Sequence, residues 1–136
     1  YLIALFPRFC LRVAQITVKV GAARVLDEAP PFPVRVALPV YAHRGVEVTL
    51  VGDRAFSRRL AAATAGVSEP LLEDELVLDG VGEFLNMLAG NAISALEREG
   101  VVASLGVPDY DAELSDGWLF PLASSVGRAA LVLAQF

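Results

Sequence analysis

Asp79, Glu83 and Asn86 stand at positions i, i+4 and i+7 of the run Glu75-Leu-Val-Leu-Asp-Gly-Val-Gly-Glu-Phe-Leu-Asn-Met-Leu-Ala-Gly90. On an α-helix turning about 100° per residue, these three side chains fall within an arc of about 60° and form one polar stripe. The residue types suit a particular chemistry. A carboxylate accepts charge-assisted hydrogen bonds from Arg or Lys, so Asp79 and Glu83 are available to a partner. No Lys or Arg occurs from Asp79 through Glu97, so no cation one turn away neutralises the carboxylates within the helix. Polar residues line the outside of any amphipathic helix, and spacing alone does not separate a site from a solvated face. Glycine adds a second signal. Gly80, Gly82 and Gly90 lie in the same run, and each costs about 1 kcal/mol relative to alanine inside a helix. Gly82 and Gly90 fall on or beside the stripe, where another backbone or a ligand could approach closely.

Other constellations fail on detail. Leu76-Val-Leu78 followed by Asp79-Gly-Val-Gly82 could be a strand entering a phosphate-cradling turn. Leu85 occupies the place of the third glycine, however, and the Lys with Ser or Thr of a P-loop is missing. The apolar periodicity also continues across all three glycines. Asp109, Asp111, Glu113 and Asp116 resemble the start of a calcium loop, yet its sixth position is Leu114 rather than Gly and its twelfth is Phe120 rather than Glu, so they read as a solvated loop. His43 is the one histidine and Cys10 the one cysteine, which excludes a multi-imidazole or multi-thiolate metal site and an intrachain disulfide. No metal site is expected.

The elements that must position the stripe follow from periodicity. Ser68-Glu-Pro70 is a start signal, Glu73, Asp74 and Glu75 suit the positive end of a helix dipole, and Gly100 is a stop, so one continuous helix is expected over residues 70–99. Its core face carries Val77, Val81, Phe84, Leu85, Leu88, Ala92, Ala95 and Leu96. A shorter helix is expected over residues 54–65, capped by Asp53 and ended by Gly66, with Phe56 and Leu60 inward and Arg54, Arg58 and Arg59 solvated. Alternation predicts an antiparallel hairpin over residues 34–41 and 46–51, a short strand over 101–105, and strands over 118–122 and 129–135. Helical spacing of Phe6, Phe9, Cys10, Val13, Ile16 and Thr17 predicts a first helix over about residues 7–20, with Pro7 in its first turn. The element order is α, ββ, αα, βββ.

At 136 residues the chain has the size of one domain, and 55% hydrophobic residues exclude disorder. Eleven Lys and Arg against sixteen Asp and Glu leave a net charge of -5, the wrong sign for reading a phosphate backbone, so nucleic acid is not an expected partner. The apolar opening from Tyr1 to Phe6 is interrupted by Pro7, Arg8, Arg12 and Lys19, far short of the roughly 20 residues of a membrane span. A lone cysteine fits a reducing cytoplasm.

The segment from Glu75 to Gly90 resembles the signature of the CheC/CheX/FliY chemotaxis phosphatases: Asp or Ser, three residues, Glu, two residues, Asn. A proline follows downstream in that family, and Pro108, after Gly106-Val107, holds its place. The resemblance spans roughly residues 34–136, and the single motif-bearing helix is similar to CheX rather than to CheC. It implies a phosphatase that removes the phosphoryl group from the aspartyl-phosphate of a CheY-type response regulator, with Asn86 orienting the attacking water and Glu83 pairing with a cation near the regulator's active site. Asp79, Gly82, Gly90 and Pro108 would support that contact. The Mg2+ of the reaction would be held by the regulator, not by this chain. The fold expected is α+β, a single domain over residues 1–136, with an antiparallel sheet of about five or six strands carrying helices on one face. The apolar ending, residues 129–136, would make a risky free edge, and CheX-like pairing through sheets would cover it in a homodimer. The alternative is a noncatalytic module of the same fold that binds a regulator or the flagellar switch. A small-molecule binding domain would need a deep pocket between sheet and helices.

Overall fold

The computed structural model describes residues 2–111, 113–114 and 116–136; Tyr1, where the apolar opening starts, lies outside them. The chain runs α1 (Leu2–Ala14), β1 (Val18–Val20), β2 (Arg24–Val25), β3 (Val34–Tyr41), β4 (Gly45–Gly52), α2 (Arg54–Ala65), α3 (Val77–Arg98), β5 (Ser104–Leu105), β6 (Trp118–Ser124) and β7 (Arg128–Gln135). Seven strands make one sheet in the order β1-β6-β7-β4-β3-β5, with β2 also paired to β6, and every pairing is antiparallel. The α+β architecture matches the expectation from sequence.

Strand alternation sets which face meets the helices. Val36 stands opposite Leu50 and Leu38 opposite Val48, while Leu50 and Leu131 pair across β4 and β7. These side chains join Phe56 and Leu60 of α2, Phe6 and Phe9 of α1, and Val81, Phe84, Leu85 and Leu88 of α3 in one core. Phe84 is edge-on to both Phe6 and Phe9, with ring centroids 5.7 and 5.4 Å apart, which fixes α1 against α3. The opposite face is covered in part as well. Leu26 and Phe32, from the segment between β2 and β3, pack with Val51, Leu119, Ala130 and Val132.

That second layer corrects the reading of the C-terminal strand. β7 is no free edge: it lies between β4 and β6. Ala129, Ala130, Leu131 and Val132 are all buried, because an interior strand covered on both faces is apolar at successive positions rather than alternate ones. The outer strands are the short β1, β2 and β5.

Two helix boundaries differ from expectation. The first helix occupies Leu2–Ala14 rather than residues 7–20, with Pro7 inside it. Gln15 turns into the left-handed region at φ 53°, and the chain then enters the sheet, where Val18 pairs with Ser124. The long helix starts at Val77, not at residue 70. Residues 69–76 instead form two 3₁₀ turns, Glu69–Leu71 and Asp74–Leu76. The physical reason is Arg58 of α2, whose guanidinium donates to the carbonyls of Glu69 (3.0 Å) and Leu72 (2.8 Å) and pairs with the Asp74 carboxylate. Arg58 is therefore a half-buried staple rather than part of a solvated face, and Leu72 and Glu73 are held extended. The predicted strand over residues 101–105 shortens to Ser104–Leu105, paired with Val40 and Tyr41.

The hairpin β3–β4 and the helix α2 stand where sequence puts them. Asp53 accepts from the Phe56 amide at 2.8 Å, and Gly66 closes α2 at φ 72°. The second oxygen of Asp53 accepts from the Arg128 amide at 2.8 Å, tying the cap to β7.

Candidate functional site

α3 is helical without interruption from Val77 to Arg98, so Asp79 to Gly82 is a turn of helix and not a phosphate loop. Val77, Val81, Phe84, Leu85, Leu88 and Ala92 are buried as expected, and Ala95 and Leu96 are half-buried. Opposite them, Asp79 and Glu83 are exposed and Asn86 is half-buried, spaced along about 10 Å of helix. Among the described residues, no basic side chain pairs with Asp79 or Glu83, and the Asn86 amide makes no side-chain hydrogen bond. Asp79 is the third residue of α3, where the helix dipole favours a carboxylate whether or not a partner is present.

The three glycines differ in what they face. A Cβ at Gly80 would lie 2.5 Å from Ala61 Cβ and 2.8 Å from its Cα, so this glycine lets α2 and α3 touch through their backbones. At Gly82 a Cβ would lie 2.9 Å from the Tyr110 hydroxyl and 3.2 Å from its Cε1. Gly90 has nothing within 4 Å and is the one glycine of the stripe open to a partner. By helical spacing Gly80 and Gly82 lie on opposite flanks of the stripe, about 160° apart around the axis. The stripe thus runs between α2 on one side and Tyr110 on the other.

Tyr110 is the site residue that sequence reasoning missed. Burial, then its interaction with Asp79, then the charge of Glu83 push the phenol above its usual value of 10. At neutral pH it is a donor. The backbone just before it is held firmly: Ala37 of β3 and Asp109 exchange two hydrogen bonds, of 2.9 and 2.7 Å. Pro108 stands half-buried in that approach rather than on the stripe itself. The only hint in the sequence was Gly82, an unfavourable residue in mid-helix, which gives no indication of which distant side chain fills the space.

The acidic residues Asp109, Asp111, Glu113 and Asp116 are all exposed, and among the described residues no group of three or more His, Cys, Asp or Glu side chains converges as metal ligands do. A groove of about 740 Å3 lies under the segment 24–32 against β6 and β7, on the face of the sheet away from the helices and remote from the stripe. A smaller recess of about 240 Å3 adjoins it at Leu78 and Tyr110. Chemically, the stripe offers a carboxylate for a partner's cation beside a neutral amide for a water, on a convex helix face that fits another macromolecule better than a small substrate.

The sequence model of the family described as chemotaxis phosphatase CheX matches residues 36–113, more than half of the chain, including the whole stripe, Pro108 and Tyr110. Among curated proteins none matches. The fold is similar to that of the chemotaxis protein CheX from Vibrio vulnificus (TM-score 0.81, 19% identity, covering 99% of this chain and 96% of that one). It is similar also to a chemotaxis protein CheX from Desulfovibrio desulfuricans (TM-score 0.80, 16% identity, 99% and 96% covered). A third similar structure is a CheX–CheY complex with BeF3 and Mg2+ from Borrelia burgdorferi (TM-score 0.71, 14% identity, 98% and 94% covered).

Proposed function

The chain belongs to the CheX family of chemotaxis phosphatases, and from that premise we propose that it hydrolyses the aspartyl-phosphate of a CheY-type response regulator. The observation that carries the reading is the stripe on α3, where Glu83 and Asn86 stand outward, one turn apart, with no ion pair to Glu83 among the described residues. A similar structure holding CheY with BeF3 and Mg2+ supports the choice of partner.

The chemistry asks little of the chain. An acyl phosphate is already a high-energy bond, and hydrolysis needs a water in line with the bond from phosphorus to the aspartate oxygen. The Asn86 amide accepts a hydrogen from that water through its oxygen and donates through its nitrogen, holding the water without adding charge beside the phosphoryl group. As the new P–O bond forms, the old one breaks; the electron pair leaves with the regulator's carboxylate and inorganic phosphate departs. Glu83 docks a cationic side chain of the regulator and so sets the register of α3. Asp79 and Gly90 border the contact. Mg2+ belongs to the regulator in this scheme, and the location is the regulator's, the cytoplasm.

A homodimer is part of the same reading, but its seam moves. With β7 interior, the free edge on that side of the sheet is β1 and β2, and Val25 of β2 with Trp118 opposite it on β6, 61% and 55% exposed, is the apolar surface a second copy would cover. Light scattering that shows only monomer at about tens of micromolar would remove it.

The test is a phosphate-release assay on the phosphorylated regulator of the same organism, with and without this chain. The expected result is a shortened phosphoryl lifetime, and a loss of turnover of roughly 10²-fold or more in Asn86→Ala with affinity changed only a few fold. Glu83→Ala should weaken binding and rate together and reduce the salt dependence of both. Binding without any change in phosphoryl lifetime would make the chain a noncatalytic module.

A further inference from the structure

We propose that Gly90 is a positioning residue of the α3 site: its missing side chain lets the regulator's surface settle on the helix one turn beyond Asn86, and so sets how far the Asn86 amide reaches toward the phosphoryl group. The inference rests on the phosphatase reading and deepens it, because it names the part of α3 that must stay bare for that amide to work.

Glycine is unfavourable inside a helix, and α3 carries it at positions 80, 82 and 90. Two of these have a reason within the chain, since a Cβ at Gly80 would press on Ala61 and one at Gly82 on Tyr110. A Cβ at Gly90 would meet nothing within 4 Å, so the fold itself gains nothing from glycine there. Position 90 lies about 6 Å beyond Asn86 and about 10 Å beyond Glu83 along the axis, and within about 40° of both around it. The Asn86 side chain is short, ending at the atoms bonded to Cγ. For its amide to hold a water against the phosphorus, the regulator's surface must come within that length of the helix, and the next residue on the same face must not stand in the way. Glycine leaves that face at the height of the backbone.

The composition of the helix points the same way. From Phe84 through Leu96 the chain carries no charged residue, although Met87 is 36% exposed and Ser94 is exposed. A helix face that meets only water usually carries charges, whereas the centre of a protein interface is depleted of them and enriched in Met. Charges bound the stretch, Asp79 and Glu83 before it and Glu97 and Arg98 after it. Its occupant is the regulator, because a surface that receives the Asn86 amide lies over position 90 by helical spacing alone.

The experiment compares Gly90→Ala, Gly90→Leu and Asn91→Leu with the parent chain. Binding is measured to the organism's CheY-type regulator loaded with beryllofluoride and Mg2+, and turnover on the same regulator phosphorylated by acetyl phosphate. Asn91 is exposed and turned about 100° from Gly90, so a leucine there adds the same side chain outside the contact. Circular dichroism and thermal unfolding should show both Gly90 variants folded and at least as stable as the parent, since the space is open and Ala and Leu are better helix formers. A leucine at position 90 ends as far from its Cα as the Asn86 amide does and holds the regulator off. The expected result is a fall in kcat of roughly 10²-fold with Kd raised roughly tenfold, and a fall in kcat of roughly fivefold in Gly90→Ala. Asn91→Leu should stay within about twofold of the parent in both. A Gly90→Leu variant that keeps the parent's kcat and Kd, or an Asn91→Leu variant that loses as much, overturns the proposal while the phosphatase reading stands. So does a lowered melting temperature in both Gly90 variants, which would give the glycine a purpose in the fold. A parent chain that does not shorten the phosphoryl lifetime overturns the phosphatase reading, and the proposal falls with it.

Discussion

The two sides of α3 use glycine for opposite purposes. On the flank facing α2, Gly80 meets the Cα and Cβ of Ala61, atoms that cannot move without moving a helix. On the other flank, Gly82 meets the far end of Tyr110, a side chain that can swing out into solvent. The first contact serves the packing of the fold, and the second shapes a surface that the packing leaves open. The same residue type in the same turn therefore carries structural weight in one case and bears on the site in the other, and the difference lies wholly in what stands opposite.

Substitutions along α3 put that contrast at risk in descending order. Phe84→Ala, on the buried side, removes a ring wedged edge-on between Phe6 and Phe9 and should cost about 3–5 kcal/mol in denaturant unfolding. Gly80→Ala should cost about 1–3 kcal/mol by forcing α2 and α3 apart, despite the gain in helix propensity; a stabilised Gly80→Ala would break the comparison. Gly82→Ala should leave stability within about 1 kcal/mol, because the propensity gain offsets a displaced phenol. Gly90→Ala, with open space around it, should stabilise by about 0.5–1 kcal/mol. If it also weakens regulator binding, Gly90 lies in the docking surface.

The pH dependence sharpens the outward side alone. Tyr110 is raised above 10 in the folded chain, so its contribution is fully present below the unfolded tyrosine value and is lost as pH rises through the higher folded value. No change from this group is expected near neutrality. An ultraviolet difference titration of the parent chain against Tyr110→Phe should place the missing step above the ordinary tyrosine value. Asp79→Ala should lower that step toward the ordinary value without abolishing the shift, because burial remains its largest cause.

Much of this was legible in the chain before folding. The hairpin over residues 34–52 follows from alternation, and α2 follows from Asp53 at one end and Gly66 at the other; both signals act over a few residues and survive any tertiary context. The outward stripe was legible for the same reason, since residues 79, 83 and 86 share a face of any helix that contains them. What failed was long-range. The start of the long helix depended on Arg58, whose guanidinium takes up the carbonyls of Glu69 and Leu72 and holds the two 3₁₀ turns that precede α3. Placing the apolar C-terminal strand at an edge required a view of only one face of the sheet, and the chain covers both.

Sequence by itself determined which residues are helical and extended in the segments with local caps and regular periods, and that Asp79, Glu83 and Asn86 would stand together, because those facts depend on spacing along one element. Tertiary structure alone decided that β7 is interior and that Gly80 packs against α2 while Gly82 yields to Tyr110. Each of these is a contact between residues distant along the chain, fixed by sheet order and by the pairing of Asp109 with Ala37 rather than by any preference of the residues themselves.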